Sequence, residues 1–134
     1  MPMQDRKQLC DKVIKLDRTI RFAGIVNDKG EVVQGGFQQG VQPLLDGTDE
    51  QQMYIQSLAY VSALASYKDK LGAVKFNMTE HEKVSLLTFP LDDGTLLCIS
   101  SNSKSNAEKL KTRVFQVIKD SRSKTGLRNS KSIK

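Results

Sequence analysis

The chain has 134 residues, 38% of them hydrophobic and none of them Trp, with a formal net charge of +6. That length allows one domain around a single modest core, and no apolar run approaches the roughly 20 residues a membrane helix needs. Residues 1–19 are charged and lack the apolar centre of a secretion signal, so a cytoplasmic protein is expected.

The basic excess is confined to one end. Residues 1–103 hold 11 Lys/Arg against 13 Asp/Glu, whereas residues 104–134 hold 10 against 2. A near-neutral body with a cationic arm is the reading of that layout. Cys10 and Cys98 lie far apart in apolar surroundings, without the C-x-x-C spacing of a redox or metal motif, and are expected to be buried reduced thiols.

In chain order, residues 5–17 read as a helix with Asp5 as N-cap and Leu9, Val13 and Leu16 on one face, widened by Cys10 and Ile14. Residues 19–27 alternate imperfectly. Ile20, Phe22, Gly24 and Val26 point one way, while Ala23 and Ile25 on the other side suggest a strand covered on both faces. Asn27-Asp28-Lys29-Gly30 supplies a tight turn in which Gly30 takes the positive φ. Residues 31–37 return as a second strand, and the pair Gly35-Gly36 marks a bulge or a close backbone approach. Residues 38–48 form a loop whose Val41, Leu44 and Leu45 either tuck onto the core or make an exposed docking patch.

Thr48 or Asp49 is the expected cap of a long helix over residues 49–67, which Gly72 stops after Lys68 and Lys70. It carries two neighbouring apolar stripes, one of Tyr54, Leu58, Val61 and Ala65 and one of Met53, Ser57, Tyr60, Leu64 and Tyr67. Its many small residues let it lie close to a sheet or a twin helix. Residues 73–80 alternate cleanly, with Val74, Phe76 and Met78 expected on the buried face. A polar turn around His81 leads to a strand over residues 84–91, whose Pro90 restricts its far end to an edge or bend. Asp92-Asp93-Gly94 makes another hairpin turn, and the run Leu96-Leu97-Cys98-Ile99 predicts a central strand over residues 95–101. Ser105 and Glu108 fit a capping box before a last helix with Ala107, Leu110, Val114, Val117 and Ile118 in a stripe. Residues 121–134 hold no acid and little to bury, and read as a disordered basic tail after a single domain over residues 1–120.

The fold class expected is α+β, a three-layer α/β/α arrangement around a five-stranded, mainly antiparallel sheet in the order α-β-β-α-β-β-β-α. Nothing in the pattern carries catalysis. His81, the one histidine, sits in a turn between Glu80 and Glu82, and a general base needs an orienting partner. Asp92-Asp93 and Asp49-Glu50 are explained by a turn and a helix start. Gly35-Gly36 and Gly40 lack the spacing of a phosphate loop. No metal site, cofactor or catalytic residue is expected.

Two surfaces remain as candidates. The cationic arm, with Lys104, Lys109, Lys111, Arg113, Lys119, Arg122, Lys124 and Arg128, suits nucleic acid, bound with strong salt dependence, and equally an anionic membrane surface or an acidic protein, or else serves only as a solubilising tail. Excess apolar helix surface suits a homodimer.

The element order, the hairpin Gly24-Ile25-Val26-Asn27-Asp28-Lys29-Gly30-Glu31-Val32-Val33 and its Asp-x-Gly-x-Val ending (Asp28, Gly30, Val32) resemble the roadblock/longin group, a roadblock- and profilin-like fold. The chain also resembles a group of short archaeal proteins of thaumarchaeal kind. The roadblock resemblance implies a non-enzymatic dimeric scaffold that binds other proteins, small Ras-like GTPases among them, and no cofactor. It would place the long helix (Tyr54, Leu58, Val61, Ala65) and the strand with Val33, Gly35 and Phe37 at a dimer seam. A sensor domain of PAS or GAF kind, with a pocket between sheet and loop, is the structural rival. A nucleic-acid-associated or sensory regulator using the basic arm is the functional alternative.

Overall fold

A computed structural model of the chain describes residues 3–102 and 106–133, with side chains from 5 to 102 and from 106 to 122. The elements are α1 (Met3–Ile14), β1 (Ile20–Val26), β2 (Val32–Phe37), α2 (Gly47–Leu64), a 3-10 turn (Ala65–Tyr67), α3 (Lys68–Leu71), β3 (Asn77–Glu80), β4 (Val84–Pro90), β5 (Leu96–Asn102) and α4 (Ala107–Ile133). The five strands form one sheet in the order β2-β1-β5-β4-β3, antiparallel throughout. With helices on both faces, this is the expected α+β, three-layer arrangement.

The period-2 pattern decides the two faces of the sheet. Ala23 and Ile25 of β1, Leu97 and Ile99 of β5, and Leu87 and Phe89 of β4 face α1 and α4. There they pack with Leu9 and Val13 of α1 and with Leu110, Val114 and Ile118 of α4. Phe115 lies off the apolar stripe of α4, yet its ring meets Phe89 edge-on at 5.1 Å and Phe76 at 5.7 Å. The opposite face is thinner: Phe22, Val26, Leu96 and Cys98 support Tyr54, with Met53, Leu58 and Val61 of α2 packed around them. β1 is covered on both sides, as its sequence predicts.

The hairpin turn forms as expected. Asn27 Oδ1 accepts from the backbone N–H groups of Lys29 and Glu31, and Gly30 takes a φ of 80°. At the glycine pair the two residues differ. Gly35 has a φ of 86°, and a Cβ there would lie 2.2 Å from the Ala23 carbonyl oxygen, whereas a Cβ at Gly36 meets nothing within 4 Å.

Several boundaries move. α1 begins at Met3, so Asp5 sits in its first turn rather than capping it. α2 is capped by Asp46, whose side chain accepts from the Asp49 backbone N–H at 2.7 Å, because Asp46 and not Thr48 or Asp49 has the extended backbone of a cap. β3 spans only Asn77–Glu80, since its partner β4 offers it Ser85 to Thr88. Met78, on the edge strand β3, is exposed, not buried. Pro90 ends β4 beyond the reach of β3, where its missing N–H leaves no ladder bond unmade. Asn106 Oδ1 accepts from Lys109 N–H and caps α4, while Ser105 of the expected capping box lies outside the described residues. α4 spans Ala107–Ile133.

Candidate functional site

The site is the face of the sheet under α2. This helix starts beside the β1–β2 turn, where Gln51 Nε2 donates to the Lys29 carbonyl, and is followed by the 3-10 turn and α3. Of its 18 residues only Tyr54 is fully buried. The Tyr54 ring stacks on Phe22 at 6.1 Å, and Phe22 in turn meets Phe37 edge-on at 4.9 Å. Burial, with Glu50 beside it, holds the Tyr54 phenol neutral and well above its ordinary range.

The remainder of the helix is open. Ile55, Tyr60 and the following Tyr67 are exposed large hydrophobics, as are Leu44 and Leu45 of the preceding loop and Val32, Val33 and Phe37 of the edge strand β2. The leucines thus form the exposed patch rather than tucking in. Along β4 the residues facing α1 and α4 are buried, but Val84, Leu86 and Thr88 on the α2 side are only half-buried. α2 therefore covers part of its face and leaves a cavity of about 230 Å³ beside it, lined by Phe22, Leu45, Met53, Tyr54, Leu86 and Cys98 among others.

The residues assigned to a dimer seam divide between two environments. Tyr54, Leu58 and Val61 pack on the chain's own sheet, whereas Ala65, Val33, Gly35 and Phe37 are exposed. Helical periodicity cannot say which stripe faces home. The outward stripe holds Ile55, Ala59, Tyr60 and Ala63.

The basic residues do not gather. Lys111 pairs with Glu108 at 3.1 Å and lies 5.2 Å from the Phe76 ring centroid, and Arg122 pairs with Asp92 at 3.1 Å. Lys109 and Arg113 line a small cleft with Asp17. That carboxyl is held below its usual range by the Thr19 backbone N–H and hydroxyl, with Arg113 and Lys109 adding to the effect. Lys119 is exposed. Lys104 and the side chains of Lys124 and Arg128 lie outside the described residues.

The possible chemistry elsewhere has structural employment. Asp93 pairs with Arg6 and accepts from the Thr95 hydroxyl at 2.5 Å. Together with the pairing of Asp92 it ties the β4–β5 turn to α1 and α4. His81 is exposed, and its backbone N–H closes the β3–β4 turn on the Val84 carbonyl. Cys10 and Cys98 are free and buried on opposite sides of the sheet, with burial pushing their thiols up to about 11 and about 12. Among the described residues no three His, Cys, Asp or Glu side chains gather as a metal site. No helix among them is long and apolar enough to cross a membrane.

This architecture is that of a roadblock-like domain. A Roadblock/LC7 domain from Streptomyces avermitilis superposes with a TM-score of 0.63 over 89% of this chain and 96% of its own, at 16% identity. MglB of Myxococcus xanthus gives 0.67 over 97% and 99% at 15% identity, and the gliding protein MglB of Thermus thermophilus gives 0.68 over 85% and 83% at 11%. At such identities the likeness is one of fold. The chain itself belongs to DUF6659, a family of unknown function, whose pattern residues 2–124 match. No curated protein matches it.

Proposed function

We propose that the chain is a non-enzymatic regulatory scaffold that dimerises through the outward side of α2 and binds another protein, a small Ras-like GTPase being the partner class the roadblock resemblance implies. One observation carries this reading: an 18-residue helix with a single fully buried side chain lies over a sheet face that it only partly covers. Monomeric domains seldom leave so much contiguous apolar surface to water, and a two-fold contact buries it on both copies at once. The fold shared with MglB, one of whose solved structures shows a tetrameric arrangement, agrees with self-association.

Tyr60→Asp tests it. Tyr60 is 56% exposed, so the change leaves the monomer's own packing intact while placing a charge in the seam. Light scattering is expected to give about twice the 15.0 kDa chain mass for the parent and the single mass for the variant, at low and high salt alike. A parent that stays monomeric at high concentration overturns the proposal.

A second reading rests on the charge of residues 104–134 and on the helical backbone that carries it to Ile133. There the basic arm binds nucleic acid. Truncation after Ser121 would then abolish a salt-dependent affinity for DNA or RNA while leaving the oligomeric state unchanged.

A further inference from the structure

We propose that the cavity between α2 and the sheet is a binding site for a small, neutral, apolar molecule of one or two fused rings. Three elements line it, and one side stays open to solvent. Its floor is the α2-facing side of β4 and β5, including Leu86 and Cys98; its roof is Met53, Tyr54 and Ser57 of α2; its side wall is Leu44 and Leu45 of the loop before α2. At about 230 Å³ it exceeds the roughly 150 Å³ at which an apolar protein cavity is known to hold a benzene.

Size and position choose this occupant over a second copy of the chain. A helix with its side chains is about 10 Å across, whereas this space is a cleft of about 230 Å³ beside α2, with its own sheet as floor and the loop before α2 along one side. A second copy could enter it with no more than a side chain.

The lining chooses the chemistry. The lining presents aliphatic side chains, the aromatic rings of Phe22, Phe37 and Tyr54, the Cys98 thiol and the hydroxyl residues Ser57, Thr88 and Ser100. Ser57 Oγ already donates to the Met53 carbonyl at 3.1 Å. Arg21, one of the charged groups in the lining, donates to the Gln42 carbonyl at 2.8 Å, which ties the loop wall down to β1. The other acidic and basic side chains in the lining, Glu50 and His81, come from the start of α2 and from the β3–β4 turn, while Tyr54 and Cys98 are held neutral by burial, so the lining favours a neutral ligand. Leu44 and Leu45 are 60% and 41% exposed, so an occupant would cover apolar surface that now meets water. The site is independent of the dimer proposed above, although its roof is the inner side of the same helix.

The four methionines make the test local. In the full-length chain labelled with ¹³C at the methionine methyls, indole serves as the probe. The Met53 signal is expected to move saturably on titration. That of Met78, exposed on the far edge strand, should stay in place. Ser57→Phe, which fills the cavity from the helix side, should weaken indole binding at least tenfold. Leu45→Ser, at an exposed lip where folding is not at stake, should weaken it severalfold. Light scattering in parallel should show an oligomeric state unchanged by indole. The proposal falls if Met53 does not saturate within the solubility of indole, if Met78 moves equally, or if neither variant weakens binding. It also falls if indole binds only by dissociating the oligomer, which would make a second copy the natural occupant.

Discussion

Gly35 and Gly36 are adjacent, share a strand and look identical in sequence, yet substitution should separate them widely. Gly35 holds a φ of 86°, and its Cβ would fall 2.2 Å from the Ala23 carbonyl oxygen and 2.7 Å from the Gly24 Cα. Both neighbours are backbone of β1, at the heart of the sheet, and cannot swing aside like a side-chain end. The left-handed conformation costs an L-residue about 1–2 kcal/mol, and forcing an extra carbon into a packed site costs about 1–3 kcal/mol more. Gly35→Ala should therefore lose about 2–5 kcal/mol, limited above by the cost of peeling the edge strand β2 away. Gly36 has an ordinary φ and open space around its Cβ. Gly36→Ala should be neutral, or stabilise by up to about 1 kcal/mol through the reduced freedom of the unfolded chain. Urea unfolding followed by circular dichroism, at one fixed protein concentration, measures both. Equal effects in the two variants, or a Gly35→Ala loss under about 1 kcal/mol, would refute the assignment of the close approach to Gly35.

The acidic turn and the thiols yield two more tests. Burial alone would raise the Asp93 carboxyl, but the hydrogen bonds from Thr95 and the contact with Arg6 outweigh it and hold the group below its ordinary range. A depressed carboxylate stabilises the fold above its unfolded pKa and loses that contribution as the pH falls through the folded value. Asp93→Ala should thus cost about 1 kcal/mol at neutral pH, because the turn is exposed and its ion pair is screened by solvent, with the gap from the parent closing in acid; a pH-independent gap in chemical unfolding would show that the charge is not involved. The thiols at about 11 and about 12 are almost wholly protonated at pH 8. A disulfide reagent should consequently titrate neither cysteine in the folded chain and both in guanidinium, and prompt reaction of either in the native state would contradict its burial.

The period of the apolar residues made the element order legible, including the central place of β5, because strand and helix periods differ and turn residues punctuate them. What escaped was whatever depends on a neighbour distant in sequence. The run Val74, Phe76, Met78 keeps its alternation past the point where β4 stops pairing, so the pattern overstates β3. Asp46, Thr48 and Asp49 can all cap a helix by residue type, and only the extended backbone at Asp46 decides among them. Phe115 lies off its helix's stripe, and no local pattern shows that two other phenylalanines, 26 and 39 positions earlier, come to meet it. The candidate site suffered most. A helix with two apolar stripes announces surplus surface but not which stripe faces its own sheet, and a cavity is a gap between elements that no single segment encodes.

Leu86 and Leu87 turn the two unequal faces into a measurement. They are consecutive in β4 and chemically identical, but Leu87 is 0% exposed under α1 and α4 while Leu86 is half-buried beside α2. Leu87→Ala should cost about 3–5 kcal/mol, because it opens a void in a sealed layer. Within one chain Leu86→Ala should cost about 1 kcal/mol, since part of its surface already meets water. Dimerisation through the outward side of α2 makes stability rise with protein concentration by mass action; Leu86 lines the cavity and not that seam, so both variants should keep the parent's rise and differ only by their own penalties. Unfolding of both variants across a hundredfold range of protein concentration measures this. A Leu86→Ala penalty as large as that of Leu87→Ala in dilute solution would mean that the α2 face is already sealed within the single chain, and that the surplus surface is not free to bind anything.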